Sequence, residues 1–180
     1  RSFKNGNYED YYKEIYEENR EAKIDSLKKL QPPFSTRRGR TVYGGGGITP
    51  DIYIPWDLDL KPATRKILAD PNRPMFNWSA TFVRSHLDIP EHYRKFQQNW
   101  ELPVNALEDF LEFATKDYNK NEKEEALEND AYLKIILKSE IAGAKWGRDE
   151  LWGVRATADN QILDALKHFN EADAFLANSY

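Results

Sequence analysis

The chain reads as an α+β protein that is mostly α. A leading helix and a small β-hairpin with a following strand come first, and a helical domain comes after them. Three features of the sequence predict this. Apolar residues recur at helical spacing through residues 8–30 and again beyond residue 77. Short strand-forming stretches flank a single "RRGR" turn. Prolines gather between residues 56 and 76, where neither pattern holds. The division expected is therefore residues 1–55, a linker over 56–76, and a helical domain over 77–180.

Each element has a local reason. In the segment Tyr8 to Leu30, Tyr12, Ile15, Tyr16, Ile24 and Leu27 share a stripe among Glu and Lys, and Pro32-Pro33 ends it. The hairpin runs from Phe34 to Tyr43, with Gly39 where the turn wants positive φ. Gly44 to Gly47 follow, then an extended segment in which Ile48, Ile52 and Ile54 can face one way. Residues 56–76 carry "KPAT" and "DPNRPM" and are expected to form a linker with one helical turn. Short helices are expected over "NWSATFVRSHL" and "PEHYRKFQQNW". Asn105 is placed to cap a helix with the stripe Leu107, Phe110, Leu111, Ala114 and Tyr118. One long helix is expected from Asn121 to Trp146, with Leu133, Ile136, Leu137, Ile141 and Ala144 inward and Gly147 as its stop. A last helix starts near Thr157 and is expected to pack Ile162, Leu166, Phe169 and Ala172.

Composition excludes several chemistries. The chain has 180 residues, room for one sizeable domain or a domain with part of another. Hydrophobic residues make up 40% and charged residues 31%, a globular balance rather than a disordered one. A net charge of −4 supplies no field that would draw in nucleic acid, so none is expected as a partner. Without cysteine there is no disulfide, thiolate nucleophile or thiolate metal site, and no compartment is fixed. No apolar run reaches the ~20 residues of a membrane span, and no secretory signal pattern is present. The opening phrase "RSFKNGNYEDYY" starts without Met, as a piece of a longer protein would.

Candidate chemistry is sparse. A glycine run can cradle phosphate when it leads into a helix with a Lys-Ser or Lys-Thr. Here an extended segment follows, so nucleotide binding is not expected. His86, Asp88, Glu91 and His92 are of metal-ligand type, but Pro90 keeps them off any one helix face, and no metal or cofactor is expected. His168, beside Phe169, is expected to border the core. Asp109 and Glu112 share a face at i, i+3 and could do acid–base work only in a cleft. Residues 101–130 hold ten acids against three lysines, which reads as a solvated acidic surface. Five Trp keep a sugar-stacking surface open as an alternative, although Trp146 and Trp152 flank a helix end and are expected in the core. None of the seven serines lies in a nucleophile elbow; Ser26 near Lys28, and Lys138-Ser139, sit on charged helices.

The phrase "GRTVYGGGGITPDIYIP" resembles the end of the catalytic core in the carboxyl-terminal processing, or tail-specific, serine peptidases. Gly39 and Arg40, the glycines Gly44, Gly45, Gly46 and Gly47, and Ile48, Pro50 and Asp51 carry the resemblance. The preceding "YEDYYKEI" and the later "DAYLKIILKSEIAGAKWG" and "LWGVRATADNQILDAL" look like parts of large envelope proteases of Gram-negative bacteria and their C-terminal helical extension. The resemblance implies a parent enzyme that cuts polypeptide substrates with exposed C-termini, using a Ser–Lys dyad and a PDZ domain. It also implies a periplasmic or envelope location, the upstream peptidase core as partner, and room for a homo-oligomer. The family's serine and lysine contexts, and its PDZ segment, do not occur in these 180 residues. The resemblance therefore implies a structural role for the matched residues, and none of them is expected to be catalytic. The chain alone is expected to be inactive. The alternative is a stand-alone helical interaction or carbohydrate-binding module.

Overall fold

The computed structural model describes residues 32–37, 39, 41–44, 52–55, 58–116 and 118–177. The fold is α+β and mostly α, with one two-stranded antiparallel sheet. The chain divides into two compact units, Asp57–Leu163, and Arg1–Trp56 together with Asp164–Tyr180.

In the second of these, strands β1 (Pro33–Ser35) and β2 (Thr41–Tyr43) pair with Phe34 opposite Val42. Pro33 can lead a strand because its missing N–H falls at the ladder's end. Gly39 turns the chain at φ 80° and donates its N–H to the Thr36 carbonyl at 3.0 Å. That backbone region disfavours any residue with a Cβ. Gly44 closes the ladder through a 3.0 Å bond to the Pro32 carbonyl, and a Cβ on it would stand 2.5 Å from the Phe34 ring. Residues 53–55 have no regular structure. The expected helix over residues 8–30 lies outside the described residues, as does most of the glycine run.

The unit Asp57–Leu163 is helical. Its first helix, α1 (Pro62–Leu68), lies where a linker was expected, and its Ala63, Thr64 and Ile67 are buried. Proline at the first helical position loses no intrahelical bond, so "KPATRKIL" starts a helix rather than breaking one. Helix α2 (Pro74–Ser85) repeats the device behind Arg73, at φ 51°. Helices α3 (Tyr93–Asn99) and α4 (Ala106–Ala114) follow at the expected places. Asn105 precedes α4, but its side chain makes no capping bond.

The single long helix expected from Asn121 to Trp146 is two helices, α5 (Lys120–Leu127) and α6 (Asp130–Lys145). Glu128 and Asn129 separate them, and Asn119 with Glu122 forms a reciprocal capping box at the start of α5. Gly147, at φ 132°, ends α6 and leads into α7 (Arg148–Ala156). Beyond it, the expected last helix is also two, α8 (Asn160–Lys167) and α9 (Phe169–Ala177), parted at His168.

Helix α6 organises the core because its stripe is long enough to serve two clusters. Leu133, Ile136 and Leu137 join Ala63, Ile67, Met75, Leu107, Phe110 and Leu111. One turn further on, Ile141 and Ala142 join Phe82, Phe96, Trp100 and Val154. Trp78 packs against both clusters and lies edge-on to Phe110. Each such fully buried large side chain contributes about 1.5–3 kcal/mol. Ala142 is the inward residue where Ala144 was expected; Ala144 is exposed.

Candidate functional site

Of the residues that carry the peptidase resemblance, Gly39 and Gly44 are described, and both serve the hairpin. Arg40, Gly45, Gly46, Gly47, Ile48, Pro50 and Asp51 lie outside the described residues, as do Ser26 and Lys28.

The described serines are each occupied or sealed in. The Ser139 hydroxyl donates to the Ile136 carbonyl at 2.7 Å and receives Arg155 Nε–H at 3.1 Å. Its neighbour Lys138 points elsewhere, giving its Nζ to the Gln97 carbonyl at 3.0 Å, with burial lowering the ammonium's affinity for its proton. Ser79 Oγ is buried and makes no hydrogen bond. Ser35 Oγ bonds the Thr36 carbonyl.

Ser85 Oγ lies 3.1 Å from His86 Nδ1, the nearest approach to a serine–base pair among the described residues. That nitrogen also faces the Phe82 carbonyl at 3.0 Å, and a carbonyl can only accept. The Ser85 hydroxyl also lies 3.2 Å from the Thr81 and Phe82 carbonyls, so both side chains are held against the backbone of their own helix end. The imidazole lies flat on Phe82, ring centres 3.6 Å apart, as an extension of the aromatic cluster.

His86, Asp88, Glu91 and His92 do not converge. Among the described residues no three His, Asp or Glu side chains gather where they could hold a metal ion. Glu91 pairs instead with Lys145 at 3.2 Å, and its carbonyl accepts Trp146 Nε1–H. Asp109 and Glu112 are exposed on α4. His168 is half-buried, with Nδ1 3.4 Å from Glu171 Oε1.

The acidic surface has a function that the sequence reading missed. Three carboxylates and an amide on and after α5 hold α1, most of them at its start. Glu125 Oε2 accepts Ala63 N–H at 3.1 Å, and Asn129 Oδ1 accepts Lys61 N–H at 2.7 Å. Asn129 Nδ2 donates to the Asp59 carbonyl at 3.0 Å. Glu122 and Glu128 pair with Lys66 and Lys61 at 2.9 and 3.1 Å. Helix α1 has no side-chain cap of its own, so its orphan N–H groups are met from residues more than sixty positions away. Asn119 N–H, and then Lys66, hold the Glu122 carboxyl below the usual range. The legible signal was spacing: Glu122 and Glu125 share one face of α5, and Asn129 follows just past its end.

The tryptophans part company. Trp146 packs against the second core cluster, edge-on to Tyr93 and tilted on Phe96. Trp152 is 52% exposed, which corrects the expectation that it lies in the core. The Arg155 guanidinium stands 5.1 Å from its ring centre and pairs with Glu140 at 2.8 Å.

Among the described residues no helix is long and apolar enough to cross a membrane. Compared with family models, curated proteins and solved structures, the chain matches none of them.

Proposed function

We propose that the chain is the C-terminal, non-catalytic portion of a carboxyl-terminal processing serine endopeptidase. On this reading the enzyme cleaves polypeptides near exposed C-termini, with a Ser–Lys dyad upstream of Arg1, in the periplasm or envelope of a Gram-negative bacterium. The observation that carries the reading is the run from Gly39 to Asp51, with its Gly-Arg, Gly-rich turn and Gly-Ile-x-Pro-Asp. The positive φ of Gly39 supports a structural use for the first of these residues. The upstream core and its PDZ domain would be the chain's partners, and the helical unit would support that core, mediate assembly or help present substrate.

The test is the coding sequence ahead of Arg1. It is expected to encode a serine in a small-residue turn and a lysine in a Gly-Lys-Gly-like context. The full product is expected to shorten a model polypeptide from its C-terminal region, and to stop when that serine becomes alanine. Absence of either residue overturns the reading.

The exposed Trp152 favours a second reading, a stand-alone helical interaction or carbohydrate-binding module. Glycan-array binding by the whole chain, lost in Trp152→Ala, would support it. Equal signal from both proteins, or none, would count against it.

A further inference from the structure

We draw no further inference here: the strongest candidate, the apolar face of α8 formed by Ile162, Leu163 and Leu166, which stay 40–52% exposed, is an unpartnered helix face, and nothing in the structure shows what covers it.

Discussion

Tyr93 Oη occupies the place where a Cβ on Gly153 would stand, closer than any real Cβ contact. The same hydroxyl donates to the Glu150 carbonyl at 3.1 Å, and Gln97 Nε2 donates to the Gly153 carbonyl at 2.9 Å. Helices α3 and α7 thus meet backbone to side chain, and glycine is what permits it. Gly153→Ala is expected to destabilise the chain by about 1–3 kcal/mol through overpacking. In a Tyr93→Phe background, where the obstructing oxygen is gone, the same substitution should cost clearly less. A double-mutant cycle by urea denaturation measures the difference; equal costs in both backgrounds would refute the contact.

The remote cap of α1 is open to a similar test. Asn129→Ala and Glu125→Ala each remove an acceptor from a backbone N–H, and each should cost about 1 kcal/mol, as N-cap losses do. Lys61 and Lys66 pair at the surface, so Glu128→Ala should cost little. The order of the three denaturation midpoints is the readout. A Glu128 variant weaker than the Asn129 one would sink the idea that capping, rather than ion pairing, holds α1.

Arg155 is half-buried between Glu140, Ser139 and the Trp152 ring. Glu140→Ala leaves that guanidinium without its carboxylate and is expected to destabilise by about 1.5–3 kcal/mol, the range for hydrogen bonds to charged groups. Replacing both partners, Glu140→Leu with Arg155→Leu, should recover most of the loss, because no unpaired charge remains. A shift in tryptophan emission in the single variant would report the guanidinium's displacement from Trp152.

Acid should weaken the α5 start in a defined direction. The Glu122 carboxyl sits below its unfolded value because Asn119 N–H and Lys66 favour the charged form. A depressed carboxylate contributes stability that is complete above the unfolded value and fades as pH falls through the folded one. Lys134 and the Ala131 N–H act likewise on Asp130. The stability gap between the wild-type chain and Glu122→Gln should therefore be widest near neutral pH and close below about pH 4. A gap that stays constant from pH 7 to pH 3 would contradict this.

At the hairpin tip, nothing lies within 4 Å of a Cβ added to Gly39, so only the backbone resists substitution there. Gly39→Ala should destabilise the hairpin by about 1–2 kcal/mol, and Gly39→Asn, which tolerates positive φ better, by less. Faster hydrogen exchange at the Gly44 N–H, which bonds Pro32, is the local measure. Unchanged exchange in the alanine variant would rule out strain at the turn.

How much was legible in the sequence varies with how local the cause is. Periodicity placed α4 and its buried Leu107, Phe110 and Leu111, because a 3.6-residue repeat fixes which face meets the core. Glycine chemistry placed the hairpin turn at Gly39 and the helix stop at Gly147, since tolerance of positive φ is a property of the residue itself. Periodicity could not show that "KPATRKIL" is a core helix. Its caps are Glu125 and Asn129, which become neighbours only after folding.

The same limit governs the candidate site. Lys138 and Ser139 are adjacent in the chain but reach different partners, Gln97 on one side and Arg155 on the other. His86 Nδ1 and Ser85 Oγ both face the Phe82 carbonyl, a relation that residue spacing does not reveal. By itself, then, the sequence determined the fold class, the hairpin and its turn, and most inward faces of the helices, because those follow from backbone preference and apolar period. Only the tertiary structure decided where α5 breaks from α6, that the acids of α5 cap α1, that Trp152 faces out, and that Tyr93 needs glycine at 153. The cap and the Tyr93–Gly153 contact depend on partners distant in sequence, brought near by burial of the shared core.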